Sequence, residues 1–264
     1  MSLKRVDQIL SDLFPGFTRT KVQSLIASQS VQYRPASHAD WVLIQKPGLK
    51  LDSDTLSAEN FLIRASEELE YVSRGALKLK GALKKFDISV TNKVCMDVGL
   101  STGGFSDLLI QEGAHKILGL DVGQGQLHHS LQKHPKLVAF DKINARYPLP
   151  QNILQSFFAG MPQNLFDLIV VDVSFISLSL IVPNLKNYLA QDGLLICLVK
   201  PQFELQKVNL NKKGVVKDPD DNRAALNKII EVFKGQNLVI MGHCPSPIEG
   251  EHGNQEYLLL AHRR

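Results

Sequence analysis

Long apolar runs, separated by stretches in which apolar residues have helical spacing, fill the chain from about residue 73 onward. Apolar runs without alternation are typical of strands that are buried on both faces of a sheet. Their succession with helical stretches predicts an α/β fold built on a doubly wound sheet. The predicted strands are, in chain order, KVCMDVG, KILGLDV, KLVAF, FDLIVVDVS, LLICLVK, NLVIMGHCPSP and NQEYLLLAHR.

Four helices are predicted between these strands, namely TGGFSDLLIQEG, GQLHHSLQK, SLSLIVPNLKNYLAQDG and DPDDNRAALNKIIEVFKG. The last of them begins with acidic residues and ends with Lys-Gly, which matches the helix dipole and a glycine C-cap. Only about ten residues without helical periodicity separate the final two strands. Because this connection is too short for a helical crossover, we expect the last strand to be antiparallel to its neighbour.

The first 65 residues have a different pattern, which predicts a small separate α+β domain. Two short amphipathic helices are expected near Val6–Leu13 and Thr20–Ser28. An irregular, proline-containing stretch with weak strand signals at DWVLIQ and NFLIRA follows them. The predicted organisation is therefore a domain over 1–65, an acidic linker over 66–72 and the sheet domain over 73–264.

The composition is that of an ordinary globular protein, with 44% hydrophobic and 21% charged residues. Its net charge of +4 permits a nucleic-acid partner without requiring one. The three cysteines, Cys95, Cys197 and Cys244, lie inside apolar runs, and their spacing suits neither a metal site nor a CxxC motif. Since neither a signal peptide nor an apolar span of ~20 residues is visible, we expect a soluble, cytoplasmic protein without a metal. The sequence gives no indication of the oligomeric state.

A glycine-rich turn, DVGLSTGGFSD, joins the first predicted strand to the helix after it and contains Asp97, Gly99, Gly103 and Gly104. Glycines let a ligand approach the backbone closely, and the free N–H groups at a helix start favour a carboxylate or phosphate. Asp121, at the end of the second strand, is placed to accept hydrogen bonds from ribose hydroxyls. The pattern is not GxGxxG, so it fits S-adenosylmethionine (SAM) at least as well as a dinucleotide. A tight turn beside a surface aspartate is the alternative.

Two opposite charges end the next pair of buried strands, Asp172 in VVDVSF and Lys200 in LLICLVKPQFE. In open α/β sheets, ligands bind outside the carboxyl ends of the strands. If the two strands are neighbours, both charges face one crevice, where each favours the ionised form of the other. A lysine that simply reaches water at the end of its strand is the alternative for Lys200.

Five basic residues and no acidic one lie between positions 71 and 86, in YVSRGALKLKGALKKF. On a helix, Leu79, Leu83 and Phe86 form the core stripe. Arg74, Lys78 and Lys85 lie together roughly 120° away. A basic stripe beside a ligand crevice suits a polyanionic substrate. A charged face that is merely solvated is the alternative.

Eight segments occur in one order, namely SRGALKL, DVGLSTGGFSD, LDVGQGQL, NARY, VVDVSFISL, LVKPQFE, KGVVKDP and GNQEYLL. Together they resemble the TlyA family of ribosomal RNA 2′-O-methyltransferases, which are also described as haemolysins and are related to the FtsJ methyltransferases. The resemblance covers nearly the whole chain and is strongest in its C-terminal part. It implies a Rossmann-like, SAM-dependent methyltransferase sheet that is mostly parallel with an antiparallel last strand. It also implies ribosomal RNA or ribosomal subunits as partners.

The catalytic Lys-Asp-Lys-Glu tetrad of that family corresponds to Lys78, Asp172, Lys200 and Glu256. A lysine amine can act as a general base only when burial or a neighbouring cation favours its neutral form. The resemblance therefore suggests Lys200 as the base and Lys78 as the group that positions the attacking oxygen, although the two roles can be exchanged. Asp172 and Glu256 would orient the two amines and compensate their charge.

The cofactor site implied by the resemblance follows the glycine turn and the end of the second strand. Its expected residues are Asp97, Gly99, Ser101, Thr102, Gly103, Gly104, Phe105, Asp121, Gln126 and Asn144.

The N-terminal domain resembles the small RNA-binding domain first seen in ribosomal protein S-four, through KRVDQIL and TRTKVQSLI. Among its first 34 residues five are basic and two are acidic, which suits contacts to RNA phosphates. The chain departs from that family after the second helix, where Gln29 replaces the usual glycine and QYRP replaces a Val-Asn-Gly turn. The residues expected to contact RNA are Arg5, Arg19, Lys21, Arg74 and Lys85.

Two other functions are weighed against the enzyme. A non-catalytic RNA-binding or ribosome assembly factor would keep the fold without turnover, but all four tetrad positions are intact. A membrane-active haemolysin would need an apolar span or a strongly apolar amphipathic helix, and the sequence shows neither. Base-amino methylation is disfavoured because DVSF lacks the paired prolines of an Asn/Asp-Pro-Pro-Tyr motif.

Overall fold

The computed structural model describes residues 2–64, 70–250 and 253–263. The chain forms two compact units, Met1–Arg74 and Gly75–Arg264. Most of the linker that the sequence predicts over 66–72 lies outside the described residues. Each unit has its own apolar core.

The smaller unit packs two helices against short strands, and both predicted helices are confirmed to within one residue. Strand β1 pairs with β4, and β2 lies between β3 and β5, all in antiparallel fashion. Buried aliphatic side chains from both helices meet Val31, Ile44 and Phe61 in its core. The elements are β1 (Leu3–Arg5), α1 (Val6–Leu13), α2 (Arg19–Ala27), β2 (Val31–Tyr33), β3 (Val42–Leu43), β4 (Lys50–Asp52) and β5 (Phe61–Ile63).

The turn after α2 keeps a left-handed residue although the usual glycine is missing. Gln29 has φ 58°, the conformation that glycine adopts without steric cost. A side chain in this conformation costs roughly 1 kcal/mol. Gln29 therefore adopts the conformation in which a glycine would be unstrained.

A buried carboxylate holds the two helices of the smaller unit together. Asp7 accepts hydrogen bonds from Arg5 Nε at 3.0 Å, Arg19 Nε at 3.0 Å and Gln23 Nε2 at 2.7 Å. Burial opposes ionisation of Asp7, but the hydrogen bonds from Arg5, Gln23 and Arg19 outweigh it and hold its pKa well below the usual range. Both guanidinium groups remain half exposed, so contacts of Arg5 and Arg19 with RNA stay a prediction.

The larger unit is built on a seven-stranded sheet with the order β11-β12-β10-β9-β6-β7-β8. Strands β10, β9, β6, β7 and β8 are parallel, and β12 is antiparallel to both of its neighbours. The predicted fold class and the antiparallel last strand are thus confirmed. The strands are β6 (Val94–Val98), β7 (Lys116–Leu120), β8 (Leu137–Phe140), β9 (Phe166–Val171), β10 (Leu189–Val199), β11 (Leu238–Pro245) and β12 (Tyr257–Arg263).

Helices cover the sheet, and the sequence explains where they begin and end. In the last helix the Asp218 side chain accepts from Asp220 N at 2.9 Å, Pro219 occupies the first turn, and Gly235 ends the helix. Ala225, Leu226, Ile229 and Phe233 form its buried face. The helices are α3 (Gly75–Phe86), α4 (Gly104–Gln111), α5 (Gln151–Phe158), α6 (Val182–Leu185), α7 (Pro201–Glu204) and α8 (Pro219–Gly235).

The predicted helix GQLHHSLQK is wrong, because residues 125–133 form only turns and bends. The backbone N–H groups of Gly123 and Gly125 donate to the carboxylates of Asp121 and Asp141 at 2.6 and 2.8 Å. Such side-chain acceptors compete with helical hydrogen bonds. Gly125 also has φ 67°. This left-handed conformation is incompatible with a right-handed helix that begins at this residue.

The predicted helix SLSLIVPNLKNYLAQDG is only partly correct. The structure has a 3₁₀ turn at Leu178–Leu180, then α6, then a second 3₁₀ turn at Lys186–Tyr188. Strand β10 begins at Leu189, opposite Phe166, and the register shifts before Leu194. The strand extends further than predicted because Leu189, which is fully buried, already pairs with Phe166 of β9.

Replacing Asp7 with alanine should destabilise the smaller unit by roughly 2 kcal/mol. This is less than the cost of breaking a fully buried pair, because both guanidinium groups are half in water. Trp41, the only tryptophan, lies in this unit and reports its urea unfolding by fluorescence. The difference in free energy of unfolding between wild type and Asp7→Ala should be complete above pH ~4. It should decrease as the pH falls, because the folded-state pKa of Asp7 is depressed.

The matched control is Asp12→Ala, since Asp12 only makes an exposed 3.6 Å ion pair with Lys4. It should leave the urea midpoint unchanged. Equal effects of the two substitutions would contradict a structural role for Asp7.

Candidate active site

The polar residues predicted for the site lie at one edge of the large sheet, where the parallel strands end. The chain runs from β6 outward to β7 and β8 and then returns to β9 on the other side of β6. Such a reversal opens a crevice above the strand ends, where ligands bind in doubly wound folds. Asp172 directly follows β9, Lys200 directly follows β10, and Glu256 directly precedes β12.

Two lysine–carboxylate pairs occupy this edge. Lys78 Nζ, from α3, donates to Glu256 Oε2 at 2.6 Å across 178 residues of sequence. Lys200 Nζ lies 2.6 Å from Asp172 Oδ1 and donates to Ser174 Oγ at 3.0 Å. Each pair joins one predicted lysine to one predicted acid, and together the pairs carry no net charge.

Strand register brings the two pairs to neighbouring positions. Val199 of β10 is paired with Tyr257 of β12, so Lys200 and Glu256 leave this pairing at the same end. Val171 of β9 pairs with Cys197 of β10, which places Asp172 beside the end of the same strand. The structure therefore gathers all four tetrad residues at the ends of three adjacent strands.

Lys78 is not part of a solvated basic stripe. Its side chain is only 11% exposed against a Glu256 side chain that is 2% exposed, whereas Lys85 points into solvent in the last turn of α3. Arg74 precedes the helix and is exposed. The predicted common stripe of Arg74, Lys78 and Lys85 is thus wrong, because the partner acid turns Lys78 inward. RNA contacts of Arg74 and Lys85 stay predictions.

The glycine turn packs tightly on the protein's own backbone. A side chain at Gly99, which has φ 88°, would place its Cβ 2.1 Å from the carbonyl oxygen of Asp172. At Gly103, with φ 93°, a Cβ would lie 2.5 Å from Leu131. Ser101 between them has φ 46°. Glycine is therefore required here by contacts within the protein, whether or not a ligand also approaches the turn.

Asp97 is the most unusual acid of the site. It is 1% exposed, Oδ2 accepts from Ser106 Oγ at 2.7 Å, and Oδ1 has no hydrogen-bond partner among the described residues. Burial raises the pKa of Asp97 to about 7, the charges of Asp172 and Asp121 add to this, and hydrogen bonds from Ser106 oppose it. The unpaired oxygen leaves Asp97 one lone-pair direction for a ligand.

Asp121 lies beside the turn, and its contact with a cofactor ribose stays a prediction. Its carboxylate accepts from Ser101 N at 2.7 Å and from Gly123 N at 2.6 Å. Gln126 Oε1 accepts from Ser101 Oγ at 3.2 Å, so Asp121 and Gln126 meet at the same serine. Each carboxylate oxygen has a second lone pair, which leaves Asp121 able to accept further hydrogen bonds.

The other predicted cofactor residues differ in how they are placed. Thr102 is exposed, and its carbonyl oxygen accepts from His128 N at 3.2 Å. Gly104 and Phe105 are buried at the start of α4. Asn144 is exposed, accepts from Arg146 N at 3.0 Å, and follows Ile143, whose N–H donates to Asp121 O at 2.8 Å. The loop after β8 is thereby fixed next to the end of β7.

Sequence reasoning missed an aromatic pair at the rim. Phe175 is 89% exposed and has φ 64°, and its ring lies 5.2 Å from that of Phe203. A left-handed phenylalanine is rare, and such strain concentrates at functional sites. The signal was present in the sequence, because Phe175 and Phe203 each come three residues after a tetrad residue.

A basic loop was also missed. Residues 206–217 contain four lysines and no acid. Asn254, which is buried, donates to Gly214 O and accepts from Val216 N, both at 3.0 Å. Since Asn254 lies two residues before Glu256, it fixes the basic loop beside the tetrad.

The residues present fit SAM. A cofactor with an adenosine and an amino acid part needs acceptors for ribose hydroxyls and an ammonium, and donors for a carboxylate. Asp121 and the unpaired oxygen of Asp97 are such acceptors, and the start of α4 supplies N–H donors.

Known proteins give an independent comparison. The FtsJ-like methyltransferase family matches residues 71–263. YqxC of Bacillus subtilis (strain 168), provisionally named an rRNA methyltransferase, is 37% identical over 259 residues, which cover 98% of this chain and 85% of YqxC. The 16S/23S rRNA (cytidine-2′-O)-methyltransferase TlyA of Mycobacterium tuberculosis (strain ATCC 25618 / H37Rv) is 36% identical over 213 residues, which cover 81% and 76%.

A solved structure from Streptococcus thermophilus, provisionally named a hemolysin, is 32% identical with a TM-score of 0.73 and covers 100% of this chain and 89% of that one. Across the described ranges 2–64, 70–250 and 253–263, no helix combines the length and the apolar character that crossing a membrane requires.

Asp97→Asn should stabilise the larger unit more at pH 8 than at pH 5. The folded-state pKa of about 7 lies above the unfolded value near 4, so ionising Asp97 costs stability as the pH rises through this window. The difference in free energy of unfolding between Asp97→Asn and wild type should therefore increase by roughly 2 kcal/mol, in favour of the variant, from pH 5 to pH 8. Urea unfolding followed by circular dichroism at both pH values measures it.

Glu112→Gln, at the exposed C-terminal end of α4, is the control and should show no such pH dependence. A constant difference for Asp97→Asn across the two pH values would show that Asp97 is ionised as easily in the folded chain as in the unfolded one.

Proposed function

The chain belongs to the FtsJ-like methyltransferase family, among its TlyA relatives, and on that premise we propose that it methylates ribose 2′-hydroxyls of RNA with SAM. The names of its relatives support ribosomal RNA, free or within a ribosomal subunit, as the substrate. The single observation that carries the proposal is the pairing of Lys78 with Glu256 and of Lys200 with Asp172 beside the glycine turn.

A ribose hydroxyl holds its proton tightly near neutral pH, so it needs help to become a nucleophile. SAM supplies an electrophilic methyl group on sulfur, so that the S–C bond breaks as the bond to O2′ forms, with S-adenosylhomocysteine and a proton as the other products. The chain must then position O2′ and accept or relay its proton.

The two lysine side chains are equally exposed, at 11%, but their partner acids differ in access to solvent, and this difference supports distinct roles. Glu256, the partner of Lys78, is almost fully buried, whereas Asp172, the partner of Lys200, is 20% exposed. An ion-paired ammonium has no lone pair and cannot accept a proton. Lys200 belongs to the more open pair, and we assign it the role of general base. Lys78, held by a buried acid, is suited to donate a hydrogen bond to O2′.

The proposed cofactor site uses the glycine turn and the neighbouring strand end. Asp97 and the start of α4 would hold the amino acid part, and Asp121 the ribose hydroxyls. Gln126 and Asn144 flank Asp121. The N–H of Gly99 bonds to Leu120 O at 2.9 Å, which fixes the turn on β7 before any ligand arrives.

The proposed RNA site uses Phe175 and the basic loop, both close in sequence to tetrad residues or their contacts. Phe175 offers an exposed ring on which a nucleobase can stack, and the basic loop offers lysines for phosphates. Arg5, Arg19 and Lys21 of the smaller unit are the further candidates for phosphate contacts. Lys21 Nζ also donates to Tyr71 O at 3.0 Å.

Lys200→Ala should abolish most methyl transfer without weakening the binding of SAM. Loss of a general base lowers rates by roughly 10²–10⁴-fold, whereas the proposed cofactor residues lie in β6, in the glycine turn, at the start of α4 and in the loops after β7 and β8. Transfer from labelled SAM to ribosomal subunits measures activity, and calorimetry measures the Kd of SAM.

Lys84→Ala, an exposed lysine on α3, is the matched control and should retain full activity. A wild-type protein that binds RNA but transfers no methyl group would support a non-catalytic RNA-binding factor instead. An active Lys200→Ala protein would refute the assignment of this base.

Phe175→Ala should raise the KM for RNA and lower kcat/KM by roughly 10-fold, because stacking contributes about 1–3 kcal/mol per base. Phe175→Trp should retain activity, since the larger ring also stacks. Met241→Ala, which removes another exposed apolar side chain, serves as the control. An unchanged kcat/KM in Phe175→Ala would exclude a stacking contact.

A further inference from the structure

The geometry points to a positioning residue outside the tetrad: we propose that Glu204 joins the loop carrying Asp172 and Phe175 to the turn carrying Lys200, and thereby sets the alignment of the catalytic pair. The inference rests on the proposed function. It concerns a carboxylate that neither the tetrad nor the cofactor site uses.

Glu204 makes hydrogen bonds to the loop that leaves β9. Its Oε1 accepts from Leu178 N at 2.8 Å, and its Oε2 accepts a short hydrogen bond from Ser177 Oγ. Both donors lie at the far end of the loop over 172–178, which contains Asp172, Ser174 and Phe175. Glu204 therefore fixes the end of this loop, and the β9 strand fixes its beginning.

The backbone of Glu204 belongs to the turn that begins with Lys200. Lys200 precedes the one-turn helix α7, where Phe203 N donates to Lys200 O at 2.9 Å. The Glu204 carbonyl oxygen in turn accepts from Lys228 Nζ of α8 at 2.7 Å. The helix α7 is thereby held to the body of the larger unit, and Lys200 can move little relative to Glu204.

Two further contacts connect the same loop and turn, and both serve the proposed chemistry. These are the Lys200–Asp172 ion pair and the contact of the Phe175 and Phe203 rings. Glu204 is the most buried member of this group, with its side chain 1% exposed. The Lys200–Asp172 pair and the contact of the two phenylalanine rings therefore depend on the buried hydrogen bonds of Glu204.

Packing alone does not account for a carboxylate at this position. Burial raises the pKa of Glu204, and the hydrogen bonds from Ser177 and Leu178 and the charge of Lys228 only oppose that shift. A leucine would fill similar space without this cost. What a leucine would not supply is a pair of acceptors that fix the Ser177–Leu178 backbone in one place.

The test compares Glu204→Ala, Glu204→Gln and Ser177→Ala in the full chain. Glu204→Ala should lower kcat for methyl transfer roughly 10- to 100-fold, the cost of a misplaced reacting group, with the Kd of SAM changed less than twofold. Glu204→Gln should retain kcat within about threefold, because its amide oxygen can accept from Leu178 N and its amide N–H₂ can donate to Ser177 Oγ. The kcat of Ser177→Ala should lie between those of Glu204→Ala and Glu204→Gln.

Glu231→Ala removes an exposed glutamate that pairs only at the surface with Lys234 of the same helix, and it should match wild type. Wild-type kcat in Glu204→Ala would overturn the proposal. So would a loss of SAM binding that parallels the loss of kcat in all three variants, since that pattern indicates general unfolding.

Hydrogen–deuterium exchange separates this inference from the proposed function. In Glu204→Ala, exchange should rise in peptides covering 172–180 and stay unchanged in those covering β6 and α4. If the wild type transfers no methyl group to RNA but the exchange result holds, the proposed function fails and the role of Glu204 in fixing the loop stands. Unchanged exchange over 172–180 would refute that role.

Discussion

The alignment of β10 with β12 is the constraint on which the site depends. The pairing of Val199 with Tyr257 makes an antiparallel last strand deliver Glu256 to the edge where Lys200 leaves the sheet. A strand running parallel would present its other end there, and Glu256 would be left on the opposite edge. Closing this pairing brings together residues that are far apart in sequence, including Lys78 and Glu256. Each buried charge then meets an opposite charge, without which its burial would be costly.

Charge compensation also explains why the two halves of the site behave differently. On the tetrad side each carboxylate has a lysine within 2.6 Å. On the cofactor side, the partners of Asp97 and Asp121 among the described residues are hydrogen-bond donors, and the charges of Asp172 and Asp121 both help to raise the pKa of Asp97. The cofactor side therefore presents carboxyl groups without a lysine partner like those of the tetrad, which suits a sulfonium cofactor that carries positive charge.

Sequence reasoning predicted most of the sheet because its strands are buried on both faces and its helices have clear caps, as in α8. It was wrong where local side chains override periodicity, as at residues 125–133, where Asp121 and Asp141 bind glycine N–H groups. It placed the four tetrad residues through a family resemblance, since spacing alone cannot pair residues on α3 and β12. The orientation of Lys78, the exposure of Phe175 and the burial of Glu204 depend on packing between distant segments, which no local pattern encodes.

The contact between Gly99 and the Asp172 carbonyl has a consequence for how the two substrates influence each other. Backbone meets backbone there with no flexible side chain between them, so a shift of the glycine turn is passed directly to the end of β9. Occupancy of one half of the crevice then biases the geometry of the other half. Thermodynamic reciprocity requires the two effects to be equal. If bound cofactor raises the affinity for RNA by some factor, bound RNA raises the affinity for the cofactor by the same factor. The lack of a side chain at Gly99 would thus couple the binding of the two substrates.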